Sequence, residues 1–275
     1  MDSATLQGLM KAPNRQTKQP LRYLDAKIAV DLGFDQRWRQ HPKPQATTAG
    51  QLTFKTGFTA ADLAGKLVLD AGCGCGRFCA AAGAWGAQMV GVDLSPAGLA
   101  AAATNAPDAG LVQASLLDLP FRVGVFDAAF SVGVLHHTPS TALAFAEVAR
   151  TVKIGGELSV WVYCRTWDER LQPAMDLLHE ITRTCPPASL HAAFERHAVE
   201  LRDLYAGAWG PIEQVLRASN SADDEECISD TLDWHAPQYR WWHTEAEVRG
   251  WFEMAGYEVT WTGPFPVSMR GRRIR

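Results

Sequence analysis

Apolar positions in this chain come in short unbroken runs at 66–71, 88–93, 110–114, 126–132 and 157–163, each the length of a strand buried on both faces. Between them, the stretches at 76–85, 96–104 and 139–151 are alanine-rich or carry apolar residues at helical spacing. Strands alternating with helices predict an α/β fold built on a doubly wound, mostly parallel sheet. Ser95 followed by Pro96 gives the second helix a cap and a first-turn proline, and the alanines at 100–103 favour its continuation. Further on, Thr244 with Glu247 is a capping-box signature for a helix ending near Gly256, with a strand at 257–262.

The rhythm fails in two places. Residues 1–60 carry Pro13, Pro20, Pro42 and Pro44 around an amphipathic piece near 21–38, and read as a helical arm folding over a cleft. The core spans 61–164. Residues 165–243, with Trp167, Trp209, Trp234, Trp241 and Trp242 among helical pieces, are too long for a connection and read as a substrate-covering insertion. The acidic run at 223–226 reads as a solvated loop, and 244–275 returns to the core to complete the sheet.

Chemistry concentrates where the first run ends. Asp70 is followed by Gly72, Gly74 and Gly76, alternate positions that let the backbone turn tightly and approach a ligand. The second run ends in Asp93, at a strand tip where a carboxylate can accept from two ribose hydroxyls. A dinucleotide site needs a third glycine three positions after the second, and Arg77 stands there. The pattern predicts a nucleoside-type cofactor without a diphosphate.

Three further stretches join this one in resembling a known family. The segment at 126–137, Phe-Asp-Ala-Ala-Phe-Ser-Val-Gly-Val-Leu-His-His, is similar to the fourth-strand motif of class I S-adenosylmethionine-dependent methyltransferases. Lys153-Ile154-Gly155-Gly156-Glu157-Leu158 resembles the turn before that family's fifth strand, and 244–262 is similar more weakly. The resemblance implies a seven-stranded sheet closed by an antiparallel strand at about 266–274, S-adenosyl-L-methionine as cofactor, and a glycine loop serving as a floor under its amino-acid and ribose parts.

It also assigns roles. Asp70 would hold the cofactor's amino group or accept from the glycine loop's N–H groups, while Asp93 and its neighbour Leu94 take the ribose. The family places an acid four residues before Leu119-Pro120-Phe121, for the adenine amino group. Here that position is Ser115, so Ser115 and Leu116 are the adenine candidates, with Asp118 as a substitute acceptor. Ser131 and Gly133 would line the methionine end. Lys55 or Arg77 would meet the cofactor's carboxylate.

Past the fourth strand, His136 and His137 are the candidate bases, His137 favoured, since ligands bind at the carboxyl ends of strands in such sheets. Tyr163, His235, Tyr239 and Arg240 are the candidate substrate contacts, the last three from a segment at 233–243 where aromatic and polar side chains interleave.

Composition narrows the partners. The 275 residues are 47% hydrophobic with a net charge of −4, which favours a folded protein over disorder and gives no electrostatic pull toward nucleic acid. Arg270, Arg272, Arg273 and Arg275 read as a solvated edge strand and tail. Cys73, Cys75 and Cys79 read as packing residues of the glycine turn and not as metal ligands, so no metal is expected. No secretory signal or membrane span is visible, which predicts a cytoplasmic protein.

The sequence itself predicts a nucleoside-type pocket under a long lid, and the resemblance implies metal-independent methyl transfer to a small organic molecule at oxygen, nitrogen or carbon. Modification of a tRNA base or protein side chain, and a non-catalytic cofactor-binding scaffold, are the alternatives.

Overall fold

A computed structural model describes residues 1–11, 48–165, 169–205, 215–216, 218–264 and 267–275. The amphipathic piece expected near 21–38, together with Trp167 and Trp209, lies outside the described residues. Strand β1 (Leu67–Ala71) pairs in parallel with β2 (Gln88–Asp93) on one side and β4 (Phe126–Val132) on the other. Outward from these lie β3 (Gly110–Gln113) beside β2, and β5 (Val152–Trp161) beside β4. Two antiparallel neighbours, β7 (Ser268–Arg273) and β6 (Tyr257–Thr262), close a seven-stranded sheet of order β3-β2-β1-β4-β5-β7-β6.

Helices on both faces explain the continuous apolar runs, because each strand must bury both sets of side chains. On one face Leu69, Val90, Ala129 and Leu158 pack with Phe145 and Val148 of α6 (Thr141–Thr151) and with Val248 and Phe252 of α10 (Glu245–Met254). On the other, Val68, Ala128 and Phe130 meet Leu52 of α2 (Thr48–Thr56) and Phe78 and Ala82 of α4 (Arg77–Ala84). Strand order reverses between β1 and β4, so a crevice opens at their carboxyl ends.

Some expectations need correction. Strand β5 begins at Val152, ahead of residue 157, because the Gly155-Gly156 segment is a bulge and not a separate turn: β4 advances from Phe126 to Ala128 while β5 advances from Val152 to Glu157. The acidic run is no loop, since α9 (Asp224–His235) starts inside it. Acids are favoured at a helix N-terminus, and Asp224 accepts from Arg202 at 2.8 Å. Strand β7 lies inside the sheet, and β6 is the edge. Arg273 donates to the carbonyls of Arg150 and Val152, and Arg270 to that of Gly57, so both arginines serve the fold.

The amino-terminal helix α1 (Ser3–Leu9) docks beyond β3, where Met10 bridges Phe121 and the Lys11 N–H donates to the Pro120 carbonyl. The insertion opens with helix α7 (Gln172–Thr182), and its next two helices, α8 (Pro187–Tyr205) and α9, form a smaller core of their own from Leu190, Phe194 and Leu232. The chain then returns to the sheet, where Cys164 pairs with His243 and the His243 N–H donates to the Tyr163 carbonyl.

Candidate active site at the carboxyl ends of the strands

Between β1 and α4 the glycine loop is held chiefly by the tip of β2. The Gly72 and Cys73 N–H groups donate to the Val92 carbonyl, Gly76 donates to that of Cys73, and Gly74 donates to Asp93 Oδ2 at 2.8 Å. With those four amides committed, the loop is no nest for a phosphate. Gly72 adopts φ +92°, and a Cβ there would strike the Val134 side chain. Asn105 Nδ2 donates to the Cys75 carbonyl at 2.9 Å and ties the loop to the helix α5 (Pro96–Asn105).

The two aspartates divide the work differently from the sequence expectation. Asp93 anchors the loop: its Oδ1 accepts from the Ser95 N–H at 2.9 Å while its Oδ2 holds Gly74. A carboxylate offers about four acceptor sites, so loop anchoring is compatible with holding a ribose. Asp70 is buried, and its Oδ2 accepts from the Cys79 thiol at 3.4 Å. Burial pushes its carboxyl up to about 7, helped by the neighbouring Asp93 and opposed by the Cys79 thiol and Arg77. The Arg77 guanidinium lies 4.5 Å from the centre of the Phe78 ring. Cys73 and Cys79 pack against Gly91, where a Cβ would come within 2.9 Å of the Cys73 sulfur. Among the described residues no group of three or more His, Cys, Asp or Glu side chains is placed to hold a metal.

After β3 the chain turns at Ser115, whose hydroxyl accepts from the Leu117 N–H and whose carbonyl accepts from that of Asp118. Leu116 is buried in the core, and the Leu94 carbonyl accepts from Gln113. Asp118 pairs with Lys11 at 3.3 Å, an exposed contact to the amino-terminal segment.

Beyond β4, Ser131 donates its hydroxyl to the Ala71 carbonyl at 2.7 Å, stitching β4 to β1. Gly133 adopts φ +76°, and a Cβ there would lie 2.8 Å from the Trp161 ring. His136 and His137 follow in a 3₁₀ turn, both buried, with ring centres 4.1 Å apart. They are held as opposite tautomers. His136 Nδ1 accepts from the Tyr163 N–H at 3.3 Å, so its proton sits on Nε2. His137 Nδ1 lies 2.9 Å from the Tyr239 carbonyl, which only accepts, so there the proton sits on Nδ1 and Nε2 carries the lone pair. Burial holds the His136 imidazole well below the usual histidine range, reinforced by His137, His243, Arg240 and Lys55.

Aromatic rings surround the pair. Tyr163 stacks on His136 at 3.8 Å and on Trp234 at 4.2 Å, and Trp242 tilts against it at 5.4 Å. Trp161 stands edge-on to His136, and its face carries the Lys55 ammonium 4.2 Å from the ring centre. Sequence reasoning missed Trp161 as a site residue. The available signal was its position two before Tyr163, on the same face of the fifth strand's end.

The remaining insertion candidates fall apart into different surroundings. His235 is buried against Phe194, 5.0 Å ring to ring, inside the insertion's own core. Arg240 donates to the carbonyls of Trp234 and Met175 and pins the 234–240 segment to α7. Tyr239 meets the histidine pair through its carbonyl.

A phosphate-free adenosyl cofactor fits these residues, because the loop amides are already spent and the carboxylate at the β2 tip suits a sugar. A family described as a methyltransferase domain matches residues 69–160. A ubiquinone biosynthesis O-methyltransferase of Thiobacillus denitrificans is 30% identical over 185 residues, 60% of this chain and 78% of that protein. A tRNA U34 carboxymethyltransferase of Marinobacter nauticus is 38% identical over 108 residues, 36% of this chain and 32% of that protein. Among solved structures, magnesium protoporphyrin IX methyltransferase of Synechocystis with bound S-adenosylhomocysteine shares the fold with a TM-score of 0.53 and 17% identity, over 91% of this chain and 97% of that one. Strand order, glycine loop and sequence relationship agree: the chain belongs to the class I S-adenosylmethionine-dependent methyltransferases, and S-adenosylmethionine is its methyl donor.

Proposed function

We propose that the enzyme methylates a small organic acceptor at oxygen, nitrogen or carbon without a metal ion, and that His137 removes the acceptor's proton. The observation that carries the reading is the 2.9 Å contact between His137 Nδ1 and the Tyr239 carbonyl. It fixes the tautomer in which Nε2 is basic, at the strand end where the family's reacting groups meet. The bound cofactor supplies a methyl already activated by positive charge on sulfur.

The chain's own residues do the rest. Asp93 orients the ribose, the glycine loop sets the floor, and Ser115 and Leu116 border the adenine. Trp161, Tyr163, Trp234 and Trp242 exclude water from the acceptor, and the Tyr239 carbonyl holds the His137 ring in place. A small acceptor suits this enclosure, and the Thiobacillus relative is named for one small-molecule pathway.

The test is transfer of labelled methyl from S-adenosylmethionine into fractionated small-molecule extracts, with wild type and His137→Ala compared on any acceptor found. Loss of a general base lowers kcat by about 10²- to 10⁴-fold, with cofactor affinity nearly unchanged. An unchanged kcat removes His137 from the chemistry. Addition of a chelator should leave the wild-type rate as it is.

A further inference from the structure

We propose that the amino-terminal segment 3–11 is a positioning strap for the cofactor's adenine: it holds the turn carrying Ser115 and Leu116 at the tip of β3, and selection of adenine over other bases depends on it. The inference rests on the reading above that Ser115 and Leu116 border the adenine, and it extends that border to a segment more than 100 residues away in sequence.

The first support is the bonding of residues 119–122, which follow the turn. On one side the Leu119 N–H donates to Glu147 Oε2 at 3.0 Å, and Arg150 donates to the carbonyls of Leu119 and Phe121 at 2.8 and 2.7 Å. Alternate groups take the strap as partner: the Lys11 N–H donates to the Pro120 carbonyl at 2.7 Å, and the Arg122 N–H donates to the Leu9 carbonyl at 3.0 Å. Residues 9–11 thus lie antiparallel to this segment as a short added strand, and α6 holds only the other side.

Second, the strap reaches the turn itself. Lys11 Nζ lies 3.3 Å from Asp118 Oδ1, and the Asp118 N–H donates to the Ser115 carbonyl at 3.2 Å, closing the turn that carries Leu116. The Asp118 carboxylate therefore serves the strap in place of the adenine amino group. Both side chains of this ion pair are exposed, so it is a weak tie, and the backbone bonds of residues 9–11 are the stronger one.

Third, the strand before the turn makes room for α1. Gly110 opens β3, and a Cβ there would lie 3.0 Å from the Met1 sulfur and 3.1 Å from Leu6 Cδ1. Leu6, Leu9 and Met10 pack against the core that contains Leu116, Leu119 and Phe121, and Arg122 donates to the Gly8 carbonyl. A helix seated on the strand before the turn and bonded to the segment after it fixes the turn at both ends, and a base held there is oriented before it reacts.

The experiment uses full-length protein and calorimetry with S-adenosylhomocysteine and S-inosylhomocysteine, which carries a carbonyl where adenine carries its amino group. Wild type should bind the adenosyl form at least about tenfold more tightly. Lys11→Pro deletes the N–H given to Pro120, and Met10 before it already has the extended φ −74°, ψ 151° that a following proline requires. Leu6→Asp lifts α1 by placing a carboxylate against the core. In both variants affinity for the adenosyl form should fall about five- to tenfold and that for the inosyl form less than about twofold, so the preference shrinks toward one. Lys11→Met, which removes only the exposed ion pair, should cost less than about twofold. Hydrogen exchange should quicken at 114–118 and stay slow in β1.

Variants that bind both products as wild type does overturn the proposal. So does an equal loss for the two, because α1 would then serve general stability and not the base. Should Leu6→Asp fail to fold, Lys11→Pro decides alone. In each of these failures an intact wild-type preference leaves the adenine assignment standing, whereas a wild type that binds the two products equally sinks that assignment and the strap's role with it.

Discussion

Asp70 and Asp93 both end strands at the glycine loop, and their surroundings give them opposite chemistry. Asp93 accepts two backbone N–H groups and holds the glycine loop to the tip of β2. Replacing it with alanine frees the loop and removes the proposed ribose contact, so cofactor affinity should fall by roughly 100-fold in calorimetry. Asp70 is held near neutrality by burial, with its carboxyl at about 7 against an unfolded value near 3.8. Because the folded state binds the proton more tightly, this group's contribution to stability is complete below the unfolded value and is lost as pH rises through about 7. In cofactor-free protein, Asp70→Asn mimics the protonated form. Its melting temperature should match wild type below about pH 3.8, exceed it by a margin that grows from there to about pH 7, and keep that margin above; parallel curves across this window would show that the Asp70 carboxyl is not shifted by folding. At this scale the sequence was legible where chemistry demands one residue type at one spacing, as for the glycines and Asp93. It was silent on the histidine tautomers, since these are set by Tyr163 and Tyr239, carried by β5's end and by the insertion.

Element boundaries followed the apolar pattern closely where helices cover both strand faces: β2 and β4 begin and end where the runs do, and the half-exposed edge strand β6 spans the expected 257–262. The pattern gave way where pairing geometry decides. Nothing in the composition of 152–157 marks a bulge, because the register against β4 is a long-range property. The arginine-rich β7 reads as an edge, but Arg270 and Arg273 donate to carbonyls that the sequence does not place beside them. The insertion was recognisable as a break in rhythm, and its attachment was not. That attachment runs through Trp234, stacked on Tyr163, with the Trp241 and His243 N–H groups donating to the His136 and Tyr163 carbonyls. Trp234→Ala should therefore loosen the insertion first. Full burial of a tryptophan would cost about 3–5 kcal/mol on truncation, and a half-buried one should cost roughly 2–3. Hydrogen exchange should show α7 to α9 losing protection while β1, β4 and β5 keep theirs; uniform loss across both would mean that insertion and sheet unfold as one unit.

At the scale of the whole molecule, the sharpest remaining division is between a small acceptor and an RNA. The tRNA-modifying relative matches only 36% of this chain, and the fold by itself carries no information about the acceptor. Charge placement does carry some. The chain has a net charge of −4, and several of its described cations are engaged inside the molecule: Arg150 by Glu147, Arg202 by Asp203 and Asp224, Arg249 by Glu245, Arg273 by backbone carbonyls. An RNA-binding face needs a stripe of cations directed at phosphates, and a protein making 6–10 such contacts loses about 10³- to 10⁵-fold in affinity between 50 and 200 mM salt. We expect bulk tRNA to be retained no better than background in filter binding at either salt concentration, and labelled methyl to stay in the small-molecule fraction when tRNA is the added acceptor. Strong retention at low salt that collapses at high salt, with label in the RNA, would replace the small acceptor by a nucleic acid, and His137 would then serve a base delivered into the site from a polyanion.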